Sequence, residues 1–274
     1  MASSATVRSR GDARTPPHER VPVSVVIPTL NEEHQIAGLL GDLQWADEII
    51  VVDAGSSDRT RCLAENAGAV VVSAVDTTIG AQRNLGIAAA RNEWILALDA
   101  DERPSDELVD EMAAVMRHPT HDAYRIRFQN FYGERELVRG HWGRDWHVRL
   151  FRRQYRFLDR RVHERLEDVS SVGTLSGRIR HASYRDFGHH LRKLTRYAEL
   201  GAEDLRARGY RVGPWHLVVK PGWRFIRDYI VYGSIRDGRF GLITSAMSAF
   251  AAFLKYAFVA MPELTRALPR DRAT

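Results

Sequence analysis

Through the first hundred residues, short apolar runs alternate with stretches of helical periodicity, and this alternation restricts the fold more than any other feature of the chain. Val21-Pro22-Val23-Ser24-Val25-Val26-Ile27, Glu48-Ile49-Ile50-Val51-Val52-Asp53, Ala69-Val70-Val71-Val72-Ser73 and Trp94-Ile95-Leu96-Ala97-Leu98 read as buried strands. Between them, Ile36, Leu39, Leu40 and Leu43 give one helix its apolar face, and Gly80 to Ala90 reads as a small-residue helix. Alternation at this interval predicts an α/β fold, a parallel sheet with helices on both faces. In such sheets ligands bind beyond the carboxyl ends of the strands. Pro28–Glu32, Asp53–Ser57 and Asp99–Asp101 all fall at those ends.

Asp99-Ala100-Asp101-Glu102 closes the fourth run. On an extended backbone, residues two apart project to one side, so Asp99 and Asp101 are expected to face one ligand. Two ionised carboxylates that close repel unless a cation lies between them, and a hard divalent ion is the usual solution. The competing reading is a helix-start acidic cluster, since Pro104-Ser105 opens a helical pattern running to Arg117.

The net charge of +5 hides an asymmetry. Residues 1–120 hold 10 Lys/Arg against 19 Asp/Glu, whereas residues 121–240 hold 26 against 14. An acidic head suits a metal, and a basic second half suits anions: nucleic acid, phospholipid or a phosphorylated substrate. Hydrophobic content of 44% with 27% charged residues is ordinary globular composition. The single cysteine, Cys62, rules out an internal disulfide and reads as a small core residue. Residues 1–20 carry four arginines and no apolar segment, so a solvated lead-in is expected there rather than a signal peptide.

Beyond Arg117, Ala123-Tyr124-Arg125-Ile126-Arg127-Phe128 alternates as a half-exposed strand. Short strands and Arg- and Trp-rich loops follow to about Arg180, then a helix over Asp186 to Arg208, with helical, apolar sequence from Trp223 onward. The ordered set Pro28-Thr29-Leu30-Asn31-Glu32-Glu33, Asp53-Ala54-Gly55-Ser56-Ser57-Asp58-Arg59-Thr60, Gly80-Ala81-Gln82-Arg83-Asn84 and Asp99-Ala100-Asp101 resembles family 2 glycosyltransferases. Leu150-Phe151-Arg152-Arg153 and Arg161-Val162-His163-Glu164-Arg165-Leu166 look closest to the lipopolysaccharide-core β-glucosyltransferase branch. The resemblance implies a GT-A-like, Rossmann-type domain over residues 21–182 that binds a nucleotide-diphosphate sugar, and a helical extension over 183–274. It also implies a divalent metal cofactor, Mg²⁺ or Mn²⁺, and an inverting transfer of a hexose to a hydroxyl of a lipid-linked or envelope glycan, with a UDP-sugar the favoured donor.

The same resemblance suggests roles. Asp53 would accept a hydrogen bond from base or ribose, with Pro28, Thr29, Asn31, Glu32 and Gly55 walling the nucleotide. Asp101 would ligate the metal directly, and Asp99 would sit nearer the ribose or a metal-bound water. Each has a plainer reading: Asp53 as a turn-initiating residue, and Asn31 with Glu32 as a helix start. Arg83 of the small-residue helix, with Arg149 and Arg152, can pair with phosphate. His181 could complete the metal shell. For the base that takes the acceptor's proton, Glu164 is expected, because the family places its carboxylate in this region. Asp145, between Trp142 and Trp146, is the alternative. His189, Lys193 and Tyr197 form one helical stripe that could touch a phosphorylated acceptor.

Gly241 to Met261 approaches the length of a membrane span, but Lys255 makes spanning costly. With Trp215, Trp223, Arg224 and Arg227 it suits an anionic membrane surface, which would place the protein in the cytoplasm at the inner face of the cell membrane. Two other functions compete. A sugar nucleotidyltransferase would want a glycine-rich, basic triphosphate loop after the first strand, and none is there. A non-catalytic nucleic-acid-binding module would use the basic half, yet no nucleic-acid motif accompanies that charge, so no nucleic-acid partner is expected.

Overall fold

A computed structural model describes residues 20–75, 77–140, 142–158 and 165–263. The expected alternation is present as β1 (Val21–Thr29), α1 (Glu33–Asp42), β2 (Ala46–Asp53), α2 (Thr60–Asn66), β3 (Val70–Ser73), α3 (Ile79–Ala89) and β4 (Trp94–Ala97). There follow β5 (Glu102–Pro104), α4 (Asp106–Arg117), β6 (Ala123–Tyr132), β7 (Arg135–Glu136), β8 (Trp146–Arg152) and β9 (Val172–Tyr184). The chain then becomes helical, with α5 (Phe187–Ala207), α6 (Pro214–Ile226) and α7 (Arg239–Ala260).

The strands form one sheet in the order β3-β2-β1-β4-β8-β6-β9-β5, with β7 hairpinned onto β6. The first four are parallel. The order reverses between β1 and β4, the point at which such sheets bind ligands beyond their carboxyl ends. Burial follows the two-residue period of β1. Val25 and Ile27 pack with Ile36, Leu39, Leu40 and Leu108 on one face, while Val26 packs with Ile50, Val52, Ile87 and Ile95 on the other. Gly86 lets α3 lie close on the second face, because a Cβ there would stand 2.4 Å from Val26 Cγ1.

Beyond β4 the sheet changes character. β8 is antiparallel to β4 and to β6, and β5 runs antiparallel to β9. The result is a GT-A-like sheet with a C-terminal helical extension. α5 packs on α7 through Ala198, Ala202 and Phe258. The carboxylate of Asp228, buried in the turn that follows α6, is held by Arg224, Arg227 and the hydroxyl of Ser248. Two local expectations are corrected. Asn31 does not cap α1: it adopts φ 57°, and Glu32 takes the capping position without a side-chain bond. Asp101 to Pro104 is not a helix start; Ser105 caps α4 by accepting from the Leu108 N–H, and Glu102–Pro104 is a strand.

Candidate active site at the strand tips

At the tips of β1 and β2 two turns lock together. Asp53 is buried, with Oδ2 accepting from the Gly55 and Ser56 N–H groups and Oδ1 from the Ser56 and Thr29 hydroxyls. The Asn31 N–H donates to Ser56 Oγ, and Asn31 Oδ1 accepts from the Ser57 N–H at 2.8 Å. Gly55 stands at φ 93°, where a side chain would be strained. Pro28 lies in register with Val52, and Thr29 with Asp53. The structure thus brings Pro28, Thr29, Asn31, Asp53 and Gly55 to one edge, with Asp53 acting as the organiser of the turn.

Asp99 and Asp101 stand in a turn, not on an extended strand, and the expected common projection is corrected accordingly. Their carboxylates meet different partners. Asp99 Oδ1 receives Arg83 Nη2 at 2.7 Å, and Asp99 Oδ2 receives Arg149 Nη2 at 3.3 Å. Arg83 reaches in from α3 with its guanidinium over the Phe157 ring; Arg149 reaches in from β8, over Phe128. Arg149 Nη2 also lies 2.6 Å from Glu102 Oε1, and Glu102 Oε2 accepts from the Asp99 N–H. Burial works against ionisation of Asp99, but the two guanidiniums outweigh it and hold the carboxyl far below the usual range. Glu102 shares one of those cations and is wholly enclosed, and burial pushes it up to about 7.

Asp101 turns the other way. Pairing of Glu102 with His181 across β5 and β9 sets His181 Nε2 3.3 Å from Asp101 Oδ2. The same oxygen lies 3.4 Å from Lys193 Nζ, which arrives from α5. Despite burial, His181 and Lys193 lower the Asp101 carboxyl to about 2. His181 is in turn raised: burial opposes its charge, but Asp101 favours it more. Glu32, at the head of α1, is pushed up to about 7, first by burial and then by the charge of Asp101.

Behind His181 stands Asn130, which is fully buried. Its Nδ2 donates to Asp145 Oδ2 at 3.0 Å and to the Trp142 carbonyl, both acceptors, so its Oδ1 must face His181 Nδ1 at 2.7 Å. Nδ1 therefore carries the proton in that bond, and Nε2 is left facing a carboxylate oxygen. An imidazole lone pair opposite a carboxylate requires a proton or a cation between them. Among the described residues, Asp101, Glu102 and His181 form a group whose ligand atoms all lie within 4.8 Å of one another. Asp99, expected as a metal ligand, is not in it; its two oxygens face Arg83 and Arg149 instead. Glu102, which sequence reasoning passed over, is.

Arg152 is a further correction. β8 runs antiparallel to β4, so Arg152 registers with Trp94 at the far end of that strand, paired with Glu93 and lying over the Trp94 indole. It does not reach Asp99 and Glu102, whereas Arg149, three residues earlier on the strand, does. Asn84 uses its amide to pin the Phe157 backbone in both directions. Asp145 has Oδ1 on His147 Nε2 at 2.7 Å and Oδ2 on Asn130; burial notwithstanding, these bonds lower its carboxyl. Glu164 lies outside the described residues, as does His163. Of the α5 stripe, Lys193 enters the site, while His189 Nδ1 accepts from the Arg185 N–H and Tyr197 is exposed.

Residues 24–175 match the model of glycosyl transferase family 2. An uncharacterized glycosyltransferase of Rickettsia typhi is 27% identical over 249 residues, 86% of this chain and 85% of that one. The lipopolysaccharide core biosynthesis glycosyltransferase LpsC of Rhizobium meliloti is 27% identical over 270 residues, 91% of this chain and 96% of that one. Among solved structures, glucosyl-3-phosphoglycerate synthase from Mycobacterium tuberculosis, with Mn²⁺ and UDP, aligns at a TM-score of 0.33 with 28% identity over 41% of this chain and 44% of that one.

Proposed function

The chain belongs to glycosyl transferase family 2, and from that premise we propose an inverting, metal-dependent transfer of a hexose from a nucleotide-diphosphate sugar to a hydroxyl of a lipid-linked or cell-envelope glycan. Family membership makes it a glycosyltransferase and sets aside the nucleotidyltransferase and the non-catalytic module. Residues 21–182 would form the catalytic domain and 183–274 the helical region. The observation that carries the reading is the convergence of Asp101, His181 and Glu102 beside Arg83 and Arg149 at the strand tips.

That donor set fits a divalent ion. Two carboxylates and an imidazole nitrogen within reach of one another suit Mn²⁺, or Mg²⁺ with more water. Asn130 fixes the imidazole so that Nε2 is the free ligand atom, as histidine ligands are commonly oriented. Asp101 and His181 would hold the ion, and Glu102 would contribute if it released Arg149. When bound there, the ion would offset the charge that develops on the leaving group.

The remaining work falls to the chain itself. The turn organised by Asp53 offers Thr29, Asn31, Glu32 and Gly55 as a wall for the nucleoside. Arg83 and Arg149, preset by Asp99, present guanidinium edges to phosphate. The acceptor oxygen attacks the anomeric carbon as the bond from that carbon to the diphosphate oxygen breaks. The acceptor proton passes to a carboxylate, for which Glu164 is the choice. Asp145 is the poorer candidate, since His147 and Asn130 occupy both its oxygens.

The acceptor class is supported by the likeness to LpsC and by the helical region. Trp215, Val218, Trp223 and Ile230 are each more than half exposed. Residues 208–261 hold 8 Lys/Arg against 2 Asp/Glu. α7 is long and apolar enough to cross a membrane, with a mean hydropathy of 1.6 in its best window, a third of which is buried in the protein. A basic, aromatic surface of this kind fits the inner leaflet, with the protein lying on the membrane. Transfer from a panel of nucleotide-diphosphate sugars, UDP-sugars first, tests the whole reading. Activity should vanish with a chelator and in Asp101→Ala; activity indifferent to both removes the metal role.

A further inference from the structure

One oxygen of Asp101 already has a cation beside it. Lys193 Nζ stands 3.4 Å from Asp101 Oδ2, the oxygen that also faces His181 Nε2 at 3.3 Å. The lysine side chain is about a quarter exposed and its ammonium lies 5.9 Å from the centroid of Tyr184, so it sits at the mouth of the site on a stem that can swing outward. It belongs to α5, outside the residues 24–175 that match the family.

The charges around it define its effect. Glu32, Asp99, Asp101 and Glu102 supply the acids; Arg83 and Arg149 are committed to Asp99 and Glu102. Among the described residues, Asp101 is left with Lys193 and with His181, whose charge the same carboxylate favours. A divalent ion seated between Asp101 Oδ2 and His181 Nε2 would take the oxygen that Lys193 holds, and two cations cannot share it without strong repulsion. A nucleotide diphosphate relieves that conflict, because its phosphate oxygens give the displaced ammonium a new partner within reach of its stem.

We propose that Lys193 is a placeholder cation: it occupies the metal position beside Asp101 in the donor-free protein and moves to the diphosphate when metal and nucleotide enter together. Metal and nucleotide then bind cooperatively, and the free enzyme holds metal weakly. The inference rests on the donor and metal reading above.

Mn²⁺ titration followed by electron paramagnetic resonance, with and without UDP, tests it on the full chain. Wild type should bind Mn²⁺ ~10-fold more tightly with UDP present, a coupling of ordinary size. In Lys193→Met, Mn²⁺ should bind ~10-fold more tightly than in wild type without UDP, and UDP should add little further. Lys193→Arg, which keeps a cation, should stay weak for Mn²⁺ alone; a merely structural lysine would not sort the variants by charge. Lys193→Gln serves as a second neutral variant should the methionine variant lose its circular dichroism signal. Neutral variants that bind Mn²⁺ no better than wild type without UDP, while wild type binds both ligands, overturn the placeholder alone. Wild type that binds neither Mn²⁺ nor UDP overturns the functional reading with it.

Discussion

Arg149 Nη2 lies 2.6 Å from Glu102 Oε1, and both side chains are almost fully enclosed. The same nitrogen reaches Asp99, so a single guanidinium bonds two acidic side chains of the turn after β4. Removing it strands buried acids. Arg149→Met should cost about 3 kcal/mol in urea denaturation, the usual penalty for breaking a buried pair from one side. Adding Glu102→Gln should recover part of the loss, and strict additivity of the two changes would count against the coupling.

Glu32 gives a pH dependence with a definite sign. Its carboxyl is raised from 4.5 to about 7 in the folded protein, so the folded state keeps that proton longer than the unfolded chain. The stability it contributes is complete below pH 4.5 and is lost as pH rises toward 7; Glu102 acts in the same window. Asp101 has the opposite sign, its contribution being lost as pH falls from 3.8 toward 2. In chelator, Glu32→Gln should flatten the decline between pH 4.5 and 7, for a gain of order 1 kcal/mol at neutral pH. A curve parallel to wild type would show that Glu32 is not raised.

Asn130 is a positioning residue. It fixes the tautomer of His181 from one side and holds Asp145 from the other. Asn130→Leu should weaken Mn²⁺ binding in the presence of UDP by about 10- to 100-fold, the range seen for groups that orient a histidine ligand. Unchanged Mn²⁺ affinity in a folded variant would mean that His181 needs no such support.

Gly86 tests the packing of α3. A methyl group would meet Val26 Cγ1 at 2.4 Å and Val52 Cγ2 at 2.9 Å, between two core strands. Gly86→Ala should destabilise the protein by about 1–3 kcal/mol. Because α3 carries Arg83, donor affinity should fall too, and a melting temperature equal to wild type would refute the close approach.

The helical region makes a separate prediction. Trp215→Ala with Trp223→Ala should weaken sedimentation with anionic phosphatidylserine vesicles by about tenfold, given the area two indoles bury. Binding should fall with added salt, and equal binding to neutral vesicles would remove the electrostatic component.

What sequence could reveal follows sequence distance. β1, β2 and β4 are short parallel strands with local periodicity, and their tips announce themselves as Thr29, Asp53 and Asp99. The remainder depends on pairing. Asn130 and His181 are 51 residues apart, joined through a β6–β9 ladder interrupted by register shifts, and Lys193 on α5 meets Asp101 across 92 residues. No periodicity encodes those meetings. Arg152 was misplaced for a different reason: its direction depends on β8 running antiparallel to β4, which the hydrophobic pattern does not state. Asn31 misled because its side chain can serve a helix or a neighbouring turn, and the left-handed backbone commits it to the turn.

α5 has one more consequence. Near its start it delivers an ammonium to the carboxylate of Asp101, and about one and a half to two and a half turns further on Ala198 and Ala202 are wedged against the apolar α7. It is a rigid strut with chemistry at one end and the oily helix at the other. A chain cut after Tyr184 would keep the matched strands and the arginines of the acidic centre yet lose the ammonium beside Asp101.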